Sequence, residues 1–262
     1  FLVLSSQQIA HFDTFGFLEL PKLFSPDEAD SIRRASLETL KKLGPNDHND
    51  AKTSQFSLPF FERNGLLTGL LDDDRIHQIP ESLLGSDFFL DGTEGHLRAG
   101  DTAWHSATMF TEEIKFIKVV MYLDHLTHSE GCLRVIPGTH RRSSPDLFGP
   151  LRDRSDTPER SPFGLTPSEV PCVSLESKPG DVLVFTENVI HGAFGSKKRR
   201  LQVCASFFAN PTTQDQTNQI VSEYKATKYS LRPSKSYVNS NRPRIRRMVS
   251  KLVELGFETV TI

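Results

Sequence analysis

The chain has 262 residues, 37% hydrophobic and 24% charged, with a formal net charge of -2. It is long enough to bury a full core as one domain, and its near-neutral balance supplies no overall basic field for a nucleic-acid polymer. Three widely spaced cysteines, Cys132, Cys172 and Cys204, exclude a paired disulfide framework or a thiolate zinc site, and a reducing cytoplasmic setting is expected. No stretch reaches the roughly 18 apolar residues that span a bilayer, and the opening FLVL is too short for a signal h-region.

In chain order, Ser5 to Phe15 reads as a short helix with Ser5 and Gln8 placed as a capping box, and GFLEL (Gly16 to Leu20) as a strand. Ser25-Pro26-Asp27-Glu28 then supplies an N-cap, a proline at N1 and a glutamate at N3. The helix it opens carries Ala29, Ile32, Leu37 and Leu40 and is expected to stop near Gly44. From about Phe88 the texture changes to β-rich segments bounded by Gly, Pro or Asp: KFIKVVMYLDHL, GCLRVIPGTH, GDVLVFTENVIHG and RLQVCASFFAN. Between two of them, Arg141 to Pro171 reads as a long loop, and Pro243 to Leu255 as a basic amphipathic helix. Helices first and strands after, without βαβ alternation, predict a mainly β antiparallel barrel with flanking helices, an α+β domain. The expected division is N-terminal helices at 1–50, a barrel at about 56–212 and a helical tail at about 213–262.

Two segments carry candidate chemistry. GDTAWHSATMF holds His105, and GDVLVFTENVIHGAFG holds His191, each at the end of a predicted strand or in the turn after it. Arg200 opens a later strand in which Arg200, Gln202, Cys204 and Ser206 share one face. An inward guanidinium beside two histidines suits a bidentate carboxylate.

GDTAWHS, YLDHLTHSEGCLRVIPGTHR and GDVLVF...HGAFG...RR together resemble the phytanoyl-CoA dioxygenase superfamily of Fe(II)/2-oxoglutarate-dependent oxygenases, from the FGFLEL strand to about Asn210. The resemblance implies a double-stranded β-helix, or jelly-roll, cupin-like core. It also implies that His105 and His191 bind iron, that Arg200 binds 2-oxoglutarate, with Arg199 as the alternative in the KKRR run, and that Thr102 contacts the cosubstrate. O2 is then the co-reactant.

The chain departs from the family at the metal carboxylate: the His-x-Asp motif reads His105-Ser106-Ala107. Glu112 and Glu113 are nearby replacements in sequence. A His-x-Ala motif resembles the iron/2-oxoglutarate halogenases, in which chloride takes the position that Ala107 vacates and is delivered to an unactivated carbon of a small molecule. Two other readings stand beside it: a hydroxylase whose aspartate is replaced by Ala107, naturally or by engineering, and a metal-free binding protein. A zinc hydrolase would need a third protein ligand, for which His140 is available, with His125 and His128 expected in solvent. For the substrate, Arg134 on the LRVI strand is a candidate inward charge. Arg152, Arg154 and Arg160 in the long loop are candidates to cover the mouth, and Trp104 is expected to pack. The partner implied is a small molecule, with no membrane or nucleic acid; the number of subunits is left open.

Overall fold

A computed structural model describes residues 4–43, 54–107, 114–141, 146–152, 162–227 and 231–262. The chain opens with helix α1 (Ser6–Phe15), in which Ser5 and Gln8 close the expected capping box and Gly16 ends the helix in the left-handed region. Strand β1 (Phe17–Leu20) leads to helix α2 (Pro26–Leu43), where the Ser25 hydroxyl accepts from Glu28 N and the Glu28 carboxylate accepts from Ser25 N.

Strand β2 (Ser54–Ser57) is followed by α3 (Gly65–Asp72) and α4 (Asp74–Leu84). These two helices lie within the range expected for the barrel, so the helical part reaches well beyond residue 50. Their N-caps explain it: Asn64 accepts from Leu66 N and Leu67 N, and Asp73 accepts from Arg75 N. The remaining strands are β3 (Phe88–Arg98), β4 (Thr102–His105), β5 (Phe116–Tyr122), β6 (Leu133–Ile136), β7 (Val173–Leu175), β8 (Val182–Thr186), β9 (Ile190–Ala193) and β10 (Arg200–Ala209). A short helix, α5 (Gly149–Arg152), lies in the expected long loop, and α6 (Gln214–Ala226), α7 (Lys235–Val238) and α8 (Pro243–Glu254) form the tail. No helix among the described residues is long and apolar enough to cross a membrane.

The strands form two antiparallel sheets, a large one in the order β1-β8-β5-β10-β3-β2 and a small one in the order β4-β9-β6-β7. This is the expected jelly-roll architecture with flanking helices. Period-two alternation divides each central strand between two environments. On β10, Leu201, Val203, Ala205 and Phe207 face outward into a core shared with Ile32 of α2, Leu67 and Leu70 of α3, Ile79 of α4 and Met248 of α8. Arg200, Gln202 and Ser206 face the other way, into the space between the sheets. Strand β5 repeats the pattern, with Ile117, Val119 and Met121 outward and Phe116, Lys118 and Tyr122 inward.

The pairing of β10 with β3 contains one bulge. Ser206 faces Gly92 and Phe207 faces Leu90, which leaves Asp91 without a cross-strand partner. A bulged residue is re-aimed relative to strict alternation, and Asp91 lines the space between the sheets.

Candidate active site

The open interior between the sheets is a cavity of about 420 Å³ lined by residues from both. His105 ends β4 and His191 lies on β9, and the two are cross-strand partners. Their ring centroids are 4.1 Å apart. His105 Nδ1 donates to Ala103 O at 2.8 Å and His191 Nδ1 donates to Val189 O at 2.9 Å. Because a carbonyl only accepts, each neutral ring carries its proton on Nδ1 and keeps Nε2 basic, the tautomer a metal ligand requires.

Ala107 also lines the cavity, and its amide donates to Glu187 O at 2.8 Å. Its methyl group stands where the family's motif would carry a carboxylate. Glu112 and Glu113 lie outside the described residues.

Arg200 is buried at the start of β10, and Arg199, the previous residue, is exposed. Strand alternation thus separates the two arginines that the KKRR run leaves ambiguous, and Arg200 is the one lining the cavity. Its guanidinium donates to Gly100 O at 3.1 Å and to Thr102 Oγ1 at 3.4 Å, which brings Thr102 into the same corner. Burial lowers the Arg200 pKa from its usual value. Among the described residues no carboxylate lies within ion-pair distance of it. A buried guanidinium without a carboxylate is a site for an anionic ligand.

Sequence reasoning missed a second polar cluster at the opposite end of the cavity. Lys118 Nζ lies 3.3 Å from Glu94 Oε1 and 2.7 Å from Glu187 Oε1. Glu94 Oε2 also meets His96 Nε2 at 2.8 Å and accepts from Cys204 Sγ at 3.4 Å. Burial opposes charge on Lys118, but Glu187 and Glu94 outweigh it and hold the ammonium well above the usual lysine range. Burial likewise works against the Glu94 carboxylate, and Lys118 followed by His96 brings it below its usual range. Glu94, His96 and Cys204 offer three ligand atoms within 4.8 Å of one another, yet the Lys118 ammonium already occupies the place of a cation there. The available signal was Lys118 itself, a lysine at the centre of an apolar strand, in phase with Phe116 and Tyr122.

Other expectations are corrected. Arg134 does not face the cavity: Leu133 and Val135 point into the core between the sheets, so alternation turns Arg134 outward. There it donates to Ser168 O at 2.8 Å and His128 O at 3.0 Å, and lies over the Phe194 ring. Arg152 does not cover the mouth either; it pairs with Asp146 and donates to Thr139 O. Arg154 and Arg160 fall outside the described residues, as does Gly44. Trp104 packs with Ile136, Leu151 and Phe194 and donates to Pro167 O. His140 bonds to Asp13 O away from the cavity, and His125 and His128 are exposed, so none of them joins His105 and His191.

The chain resembles known proteins in sequence and in fold. The chain is 25% identical to the ectoine dioxygenase of Sphingopyxis alaskensis over 218 residues, 74% of this chain and 71% of that one. Among solved structures, HygX from Streptomyces hygroscopicus, with nickel and 2-oxoglutarate bound, superposes with a TM-score of 0.61 at 18% identity, covering 80% of this chain and 88% of HygX. EvdMO1 superposes with a TM-score of 0.58 at 21% identity over 79% of this chain, which spans half the length of EvdMO1. The phytanoyl-CoA dioxygenase (PhyH) profile matches residues 12–201, most of the chain, and the protein therefore belongs to this family of iron- and 2-oxoglutarate-dependent oxygenases.

Proposed function

We propose that the protein is an Fe(II)/2-oxoglutarate-dependent halogenase acting on a small molecule. The observation that carries this reading is Ala107, a methyl group lining the cavity with His105 and His191 where the family's motif has a carboxylate.

The residues present fit the cofactor and cosubstrate. Both histidines hold the tautomer with a basic Nε2, and the buried Arg200 lacks a protein carboxylate among the described residues. His105 and His191 would hold iron; Arg200 and Thr102 would hold the distal carboxylate of 2-oxoglutarate. When bound, iron and 2-oxoglutarate supply the oxidation of a substrate C–H bond at the expense of O2. The chain's part is to place and exclude. The Nδ1 hydrogen bonds fix both imidazole planes. Lys118 is shared by Glu94 and Glu187 and so balances part of the negative charge of the cavity. Ala107 leaves room, and one less negative charge, for a halide ion. Phe116 and Phe185 give the cavity apolar walls that limit water around a substrate.

A second reading, hydroxylation with water beside Ala107, is favoured by the match to a curated dioxygenase across 74% of the chain. One experiment separates the two. The protein is loaded anaerobically with Fe(II) and 2-oxoglutarate, and chloride is titrated while the metal-to-ligand charge-transfer band is followed. A saturable chloride-dependent shift is expected. A band that ignores chloride would leave hydroxylation, and absence of any band would overturn the metal assignment.

A further inference from the structure

The cavity is electrically polarised. At one end stands Arg200, with Arg98 as its cross-strand partner on β3. At the other end stand Glu94 and Glu187, both on the ammonium of Lys118, and Asp91, which lines the same cavity. Arg98 and Asp91 are seven positions apart on β3, which at an extended rise places them roughly 20 Å from each other.

The acidic end is short of positive charge. Glu94 is fully engaged by Lys118, His96 and Cys204. Glu187 is almost wholly buried and its Oε1 lies 2.7 Å from the same Lys118 Nζ, so two glutamates share one ammonium. Asp91, turned inward by the bulge, has no cation within ion-pair distance among the described residues. Among the described residues, three carboxylates thus line this end of the cavity and one ammonium faces them. Buried carboxylates in excess destabilise a fold unless they are neutralised or meet a ligand of opposite charge.

We propose that the substrate bears a protonated amine, received between Asp91 and Glu187 at the end of the cavity remote from Arg200. This deepens the proposed function and rests on its assignment of the cavity as the substrate site. The two ends then sort the two organic reactants by charge: the dianionic cosubstrate goes to Arg200 and the cationic substrate to the carboxylates. Specificity follows, because a carboxylate-bearing competitor would meet like charge at the acidic end. Burial, reinforced by Glu94, Glu187 and Glu223 and opposed by Lys118, pushes the Asp91 carboxyl up to about 7. An entering ammonium would favour its ionised form. Aromatic rings of Phe56, Phe116 and Phe185 also line the cavity, and aromatic faces attract cations.

The test uses metal-free protein, so that it does not depend on oxygenase activity. Benzylamine, 2-phenylethylamine and 1,5-diaminopentane are compared by ligand-observed NMR with benzyl alcohol, 2-phenylethanol, benzoate and phenylacetate. The amines are expected to bind at least about tenfold more tightly than their matched alcohols, and to keep that affinity when the carboxylates occupy Arg200. Asp91→Asn and Glu187→Gln are each expected to weaken amine binding by about tenfold or more, while Arg200→Leu leaves it unchanged. Thermal unfolding checks that each variant folds; should Asp91→Asn fail to fold, Glu187→Gln carries the test. Absence of amine binding, amines no better than alcohols, or binding that persists in the folded variants would overturn the proposal. Amine binding in a protein that forms no Fe(II)/2-oxoglutarate band would uphold the cation site and overturn the oxygenase reading alone.

Discussion

Gly131 and Arg200 lie closer than any side chain at position 131 would allow: a Cβ on Gly131 would stand 2.6 Å from Arg200 Nη1 and 2.5 Å from Ser196 Cβ. Gly131 also has a φ of 80°, in the left-handed region that favours glycine. The GCLR turn thus sets the position of the guanidinium from outside its own strand. Gly131→Ala is expected to displace Arg200, weaken 2-oxoglutarate binding by about tenfold and cost about 1–2 kcal/mol of stability. Isothermal titration and chemical unfolding measure the two effects; unchanged 2-oxoglutarate affinity would detach Gly131 from the cosubstrate site.

The two arginines of the KKRR run offer a direct contrast. Arg200→Leu removes a buried guanidinium from the cavity and is expected to weaken 2-oxoglutarate binding by about 100-fold, the scale of two charge-assisted hydrogen bonds. Arg199→Leu, at an exposed position, is expected to change it by less than about twofold. Binding measured with Fe(II) present under anaerobic conditions decides this, and equal losses in the two variants would refute the assignment.

Ala107→Asp restores the carboxylate beside His105. It is expected to raise Fe(II) affinity by about tenfold or more and to abolish any response of the charge-transfer band to chloride. A chloride response that survives the substitution would mean that halide does not use the space beside Ala107.

Stability is expected to fall as pH rises from about 5 to 8. Burial raises the Glu62 carboxyl to about 7, although Thr93 Oγ1 donates to it at 2.5 Å. Between its ordinary value of 4.5 and about 7 the folded state binds the proton more tightly than the unfolded state. Its contribution is therefore complete below the ordinary value and is lost as pH rises through the folded one. The upper bound is about 3 kcal/mol, from about 1.4 kcal/mol per pH unit. Asp91, raised to about 7, acts in the same direction. Thermal unfolding across this range should show the fall, and Glu62→Gln should reduce its slope; an identical slope in the variant would assign it elsewhere.

Local pattern in the sequence determined the caps of α1 and α2, the strand-rich middle and the alternation along β10. Each depends on neighbours within a few residues or on a period of two. The motifs around His105, His191 and Arg200 also made the family legible, because they carry its chemistry in compact signatures. The sequence left open which of Arg199 and Arg200 points inward and which way Arg134 faces. A shift of one residue reverses a strand's faces, and only pairing with β3, β5 and β7 sets the register. The acidic end of the cavity was illegible for a related reason. Asp91 owes its direction to a bulge, and Glu94, Lys118 and Glu187 come from separate segments that meet only when the sheets close. Tertiary structure decided that end of the site because charges distant along the chain are paired, or left without a counter-ion, by packing alone.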